Sequence, residues 1–313
     1  MNMDKNILKK VDFKTLFPML GLIGVIVLFQ IITGGKVFQS KNLMAVINSS
    51  FFILIATAAF SFIMSVGNLD LSMGTVMAVS CTAAAVAAKI SPFLALPVAI
   101  LVGGVFGAIN GFVHADMKLG SLIATMTTQS IFSGILVLIL DGGTLSAPMK
   151  MLSWNTMALK IAAMLIIVLI GIYLFNFTAY GKQCRAVGSC AEAARLCGVS
   201  VRKVKYVTFI NMGFAMGVLG FFSLIRTGTA SATTGSELMM NVWCAALLGG
   251  LPLSGGSAAR FRSVLLGSFT MAFLANGMTL MGLLTRDKQL IQGVVFLIAV
   301  AVSFDRKHMA VIK

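Results

Sequence analysis

The feature that most constrains this chain is a recurrence of long apolar stretches. They cover about residues 16–32, 46–66, 75–90, 93–113, 122–140, 157–177, 204–224, 237–250, 263–284 and 290–304, with short polar links between them. A helix needs about 20 apolar residues to cross the hydrocarbon core of a bilayer, and most of these runs reach or approach that length. Backbone polar groups find no water inside lipid, so such runs can be accommodated there only as internally bonded helices. Charged residues make up 11% of the sequence, against about 25% in an average soluble domain. The expectation is an all-α polytopic membrane protein, a single transmembrane domain over residues 1–313 with about ten helices. A net charge of +15 would suggest nucleic acid in a soluble protein. Here basic residues at helix ends set topology and meet anionic headgroups, so lipid is the expected partner and nucleic acid is not.

The first fourteen residues, MNMDKNILKKVDFK, are basic and lead into the first apolar run. This resembles the start of a signal peptide, but no small-residue cleavage site ends the run. An uncleaved first helix entering from the cytoplasm is expected. On that topology sixteen of the 24 basic residues fall in inner segments, which satisfies the positive-inside rule with both termini cytoplasmic.

The longest polar run, residues 181–205, carries Lys182, Arg185, Arg195, Arg202, Lys203 and Lys205. Ser189 followed three residues later by Glu192 reads as a capping box, and Gly198 offers the left-handed position that ends a helix. Between them Cys190, Ala191, Ala193, Ala194, Leu196 and Cys197 make a short helix with a small-residue surface. Two turns alone in water are marginal, so packing on a partner should order it. Ser200 looks like the cap of the next helix.

The polar residues within or beside the spans are few. Asp70 sits between Gly67 and Gly74 with Asn68 and Ser72 beside it. A carboxylate at membrane depth is by default functional, yet one bracketed by glycines can also cap a broken helix. Asn48, Asn110, Gln129 and Asn276 either hydrogen-bond between helices or line a polar path; one sequence leaves both open. L-x-L-S-x-G occurs at residues 69–74 and 251–256, each copy followed by Asn-Gly, at Asn110-Gly111 and Asn276-Gly277. That is a weak internal repeat with broken helices, a construction common in transporters. Small-residue runs such as GGVFGAING and GFAMGVLG suit close helix packing. Trp154 is placed at the outer membrane interface, while Trp243 could lie at the interface or face the path.

Several classes are disfavoured. LSGGS at residues 253–257 looks like an ATPase signature, but the chain has no G-x-x-x-x-G-K-[ST] phosphate loop, so it cannot hydrolyse ATP itself. Cys184, Cys190 and Cys197 are spaced by six and seven residues and fit no C-x-x-C metal pattern. His114 and His308 are far apart, and no nucleophile–base set assembles, so an enzyme is not expected. Few ionisable groups lie in the spans, which counts against an ion-coupled stand-alone carrier.

GNLDLSMGTVMA, EAARLCGVSVRKVKYVTF and LLGGLPLSGGSAARFRSVLLGSFTMAFLANGMTLMGL, taken in order, resemble three blocks of the ribose-type sugar permeases of ATP-binding-cassette importers. The resemblance runs from about Val46 to the end of the chain. It implies a permease subunit of the bacterial plasma (inner) membrane that imports a monosaccharide or similar polyol. It also implies cytoplasmic ATPase subunits that bind ATP and Mg, a second permease copy or paralogue, and an external solute-binding protein. No cofactor is expected in this chain. By the same resemblance Ala191, Glu192, Ala193, Ala194, Arg195 and Gly198 belong to the coupling helix that docks on the ATPase. Asn48, Asn68, Asp70, Ser72, Asn110, Gln129 and Asn276 are candidates for the translocation path. Departures from the family pattern fall at Asn68 and Leu69, at Cys197 and in SAARFR. A nucleoside importer of the same fold and a self-sufficient carrier are the alternatives.

Overall fold

A computed structural model of the protein describes residues 13–303. The basic start at residues 1–12 and the tail at 304–313, with His308, lie outside the described residues. A helix covers each of the ten apolar stretches: α1 (Phe13–Ile32), α2 (Ser40–Ser65), α3 (Met73–Ile90), α4 (Ala95–Ala115), α5 (Ser121–Leu140), α7 (Met157–Asn176), α10 (Val201–Thr227), α11 (Leu238–Leu248), α12 (Arg262–Leu280) and α13 (Thr285–Ser303). Between α5 and α7 lies α6 (Met149–Leu152), and between α7 and α10 lie α8 (Ala179–Ser189) and α9 (Ala191–Leu196). Among the described residues seven helices are long and apolar enough to cross a membrane. Two helix starts precede the apolar runs. Asn42 donates to Val37 O at 2.8 Å, fixing the turn that lets α2 begin at Ser40. Asp287 stands in the first turn of α13, where the helix dipole favours an acid.

The core forms around α2, in which every residue from Ser50 to Ser65 is buried. A helix apolar all round belongs in the middle of a bundle, and α7, α8, α10, α11 and α12 all pack on it. By contrast only 11% of the spanning window of α7 is buried, so most of its surface faces outward. The closest helix pair is α4 with α10. Gly103, Gly107 and Gly111 recur at four-residue spacing, the first two against Gly213 and Gly217 and the third against Tyr206. A Cβ at Gly217 would lie 2.5 Å from the Ala99 carbonyl oxygen, and one at Gly107 would overlap that of Phe209. The glycines thus let the two backbones touch. The same device recurs where Gly277 of α12 lies under the Phe29 ring of α1. Both Asn-Gly pairs of the faint repeat therefore mark close helix contacts.

One element differs from the all-helical expectation. β1 (Thr144–Ser146) pairs antiparallel with β2 (Thr229–Ser231), Leu145 opposite Ala230. It ties the loop after α5 to the loop after α10. Three-residue strands so far apart in sequence carry no periodic signal of their own.

Candidate functional site

The turn between α2 and α3, residues 66–72, is where the chain's separate polar signals converge. Gly67 turns it with φ +80°. Asp70 is 2% exposed, and its Oδ1 accepts the Ser72 N–H at 2.8 Å and the Ser72 hydroxyl at 2.7 Å. This local carboxylate-to-backbone pattern mimics a turn and satisfies a donor that the start of α3 would otherwise strand. The Asn110 amide of α4 donates to Ser72 Oγ at 2.6 Å. From α5, Ser121 Oγ accepts the Leu69 N–H at 3.2 Å and Thr125 Oγ1 the Leu71 N–H at 3.1 Å. From α11, the Trp243 indole N–H reaches the Asp70 carbonyl oxygen at 3.3 Å, while the ring stacks on Phe60 with centroids 6.4 Å apart. Three helices, α4, α5 and α11, thus hold one turn. Two polar atoms in it have no protein partner: Asn68 Nδ2, a donor, and Asn110 Oδ1, an acceptor. Buried polar groups normally find partners, so this pair is suited to a ligand or water with hydroxyl-like character.

The turn is joined to the cytoplasm-like segment through the glycine-rich loop. A Cβ at Gly255 would sit 2.6 Å from Gly67 N, so the second L-x-L-S-x-G copy presses on the end of α2. Gly256 N–H donates to Ser65 O at 2.9 Å. Ser257 N–H donates to Ser189 Oγ, also at 2.9 Å. Gly188 sits in the same joint; a Cβ there would overlap Ser65 O and lie 2.7 Å from Gly256 N. The end of α8, the end of α2 and the glycine-rich loop therefore share close backbone contacts, with the Ser189 hydroxyl bonded into the same joint.

From this joint α9 projects outward. Only Ala194 is buried within it, and Leu196 is 85% exposed. Glu192 and Arg195 pair at 2.9 Å, both largely exposed. Gly198 takes φ +82°, with Gly198 N–H on Arg195 O and Val199 N–H on Ala194 O, both at 3.0 Å; this is the left-handed stop its sequence predicted. The other end differs from the capping-box expectation. Ser189 is the last residue of α8, and its hydroxyl donates to Arg185 O at 3.0 Å while accepting from Ser257. Cys190 takes the cap position with no side-chain bond, and Glu192 pairs forward with Arg195. Ser200 occupies the cap position of α10 without a side-chain bond. Farther along, Arg202 of α10 pairs with Asp116 in the loop after α4. Beneath α8 the Cys184 thiol is buried, and desolvation pushes it up to about 12, whereas Cys190 and Cys197 are exposed.

Of the candidate path residues, Asn68, Asp70, Ser72 and Asn110 are brought together. Asn48 is elsewhere on α2, accepting from Lys160 Nζ at 2.7 Å. Gln129 lines a shallow depression of about 580 Å³ on the outward face of α5, with Ser130, Ser133 and Gly134. Asn276 is buried in α12 with Oδ1 unpartnered. Neither it nor Gln129 hydrogen-bonds to the Asp70 turn among the described residues. Ser121, Thr125 and Trp243 belong to the site although sequence reasoning gave the first two no role and left Trp243 open. A Ser and a Thr four residues apart at a helix start were the available signal.

A bundle of long apolar helices with a broken-helix turn is the architecture of a polytopic membrane protein. The chain belongs to the family described as branched-chain amino acid transport system / permease component, which matches residues 42–300. Its relatives are ATP-binding-cassette importer permeases, and like them it is a multi-pass protein of the inner membrane. It is 26% identical to the ribose import permease protein of Haemophilus influenzae, across 84% of this chain and 85% of that one. It is 28% identical to an L-arabinose ABC transporter permease protein of Azospirillum brasilense, across 79% and 75%. It is 30% identical to an autoinducer 2 import system permease protein of an Enterobacter species, across 86% and 78%. No solved structure matches it.

Proposed function

We propose that this chain is the membrane subunit of an importer that brings a monosaccharide or similar small polyol into the cell, using ATP hydrolysed by partner subunits. The single observation that carries this is the joint between α9 and the Asp70 turn. A short, largely exposed helix that gives the bundle's packing only Ala194 is tied by backbone contacts to the turn where buried polar atoms await a partner. Movement of α9 would be transmitted there without slack, because glycine backbones make the close contacts. The relatives' named cargoes, ribose, L-arabinose and autoinducer 2, support a small polyhydroxylated solute, and an unpartnered donor on the turn with an unpartnered acceptor on α4 suits its hydroxyls.

On this reading all ten helices over the apolar stretches cross the membrane, with both ends of the chain in the cytoplasm. Ala191, Glu192, Ala193, Ala194, Arg195 and Gly198 form the surface that meets a cytoplasmic ATPase. Asn68, Asp70, Ser72 and Asn110 shape the inner end of the solute path, and Gln129 on the outward face of α5 lines it where a second permease subunit closes it. Asn48 and Asn276 line it less directly. An external binding protein delivers the solute. The test is uptake of labelled ribose into proteoliposomes holding the assembled complex, binding protein and internal or external ATP as orientation requires. Uptake that depends on ATP supports the reading. Equal uptake by the purified chain alone, without ATP, refutes it in favour of a self-sufficient carrier.

A further inference from the structure

At the ends of α7 and α10 remote from α9 stand two cations, Lys160 and Arg226, neither of which pairs with a carboxylate among the described residues. Lys160 is in the first turn of α7 and is 4% exposed. Its ammonium has one hydrogen-bond partner, the neutral Asn48 Oδ1 at 2.7 Å, which leaves two of its three N–H donors unused. Arg226, next to last in α10, lays its guanidinium over the Phe52 ring, 4.4 Å from the centroid. Asn48 and Phe52 are four residues apart on α2, hence on one face a single turn apart. That face brings the two cations within Coulombic reach of each other.

Such an arrangement is unfavourable as it stands. A buried charge without a counter-charge is among the most destabilising features a fold can carry. Like charges add repulsion, and the N-terminal turn of a helix presents a positive dipole end to Lys160. Arg226 fares better, since it lies at a helix C-terminus and over an aromatic face. An anion between the two would relieve all three terms, and Arg226, exposed at the rim, keeps the place open to one.

We propose that Lys160 and Arg226, set by Asn48 and Phe52, bind the phosphate of an anionic phospholipid headgroup. One observation selects lipid over a soluble anion. Trp154, six residues before Lys160, is partly buried and packs on Phe93 and on Phe221 of α10, five residues before Arg226, an aromatic marker of headgroup depth. The site shares Asn48 with the proposed solute path and no residue with the ATPase-facing surface.

The assembled importer is purified in mild detergent, incubated with phosphatidylglycerol, and its retained lipid counted by native mass spectrometry. Wild type and Lys160→Arg should each keep one phosphatidylglycerol after washing. Lys160→Gln and Arg226→Gln should lose it, with retention falling roughly five- to tenfold for each cation removed. Size-exclusion profiles matching wild type establish that the variants are folded, and Lys160→Arg serves if Lys160→Gln is not. Equal retention in all four proteins overturns the proposal. So does displacement of the lipid by millimolar inorganic phosphate, which would make the ligand a soluble anion. Carbodiimide coupling of Lys160 to a carboxylate of the external binding protein would equally overturn it, assigning the cations to a protein partner.

Discussion

Replacing Gly188 by alanine tests whether the joint between α8, α2 and the glycine-rich loop is as tight as its geometry indicates. The new methyl would overlap Ser65 O on one side and lie 2.7 Å from Gly256 N on the other. Both obstacles are backbone, so no side chain can rotate away and α8 must lift. Overpacking of this kind costs about 1–3 kcal/mol. Lifting also breaks the Gly256–Ser65 and Ser257–Ser189 hydrogen bonds, each contributing about 0.5–1.5 kcal/mol. Together these terms come to about 2–6 kcal/mol, and even about 3 kcal/mol shifts the closed-to-open ratio of the joint by roughly a hundredfold. Cys184 on α8 reports that opening. Closed, its thiol is fully buried with its pKa raised to about 12; opened, it regains an ordinary thiol pKa of about 8.5. In a Cys190→Ser, Cys197→Ser background, maleimide labelling of Cys184 at pH 8 should accelerate by about two orders of magnitude. Gly293→Ala, where a Cβ meets nothing within 4 Å, should leave the rate unchanged. Unaltered Cys184 labelling in the Gly188→Ala protein would refute the idea of a rigid joint.

Three further outcomes follow from the site. Asp70→Asn keeps an oxygen able to accept from Ser72 and should retain most transport, whereas Asp70→Ala strands the Ser72 N–H and should lower stability by about 1–2 kcal/mol in detergent melts; equal loss of transport in both would instead assign the charge to solute handling. Trp243→Phe preserves stacking on Phe60 but deletes the bond to Asp70 O, a loss of about 1 kcal/mol by the same melts. Gly107→Ala forces α4 from α10 at the Phe209 carbonyl and should lower the unfolding midpoint more than Gly134→Ala, which faces open space.

The bundle was legible because lipid imposes one solution on apolar runs, and a helix stands over every stretch the sequence marked. The end of α9 was legible because a left-handed residue after a helix selects glycine, and Gly198 is one. Its beginning was not. Ser189 and Glu192 have capping-box spacing, but a hydroxyl has several suitors, and the Ser257 N–H, 68 residues away, claimed this one. Asp70 was legible as important and as a possible cap, yet its partners on α4, α5 and α11 come from contacts no local pattern records. Lys160 entered the sequence reading as one more topological charge. Its burial against α2 depends on where α7 docks, which composition does not state.

The central claim is that α9 is the chain's handle for an ATPase. Its own stability contributes little: the exposed Glu192–Arg195 pair is worth about 0.3–0.5 kcal/mol, so replacing both by alanine leaves the bundle intact. The decisive measurement is affinity purification from native membranes of the wild-type chain and of Glu192→Ala/Arg195→Ala, both checked for matching size-exclusion profiles, with co-purifying subunits identified by mass spectrometry. The account predicts a stoichiometric ATPase subunit with the wild type and its loss from the variant. An ATPase held equally by both proteins, or wild type recovered alone and still moving solute in liposomes, would contradict it.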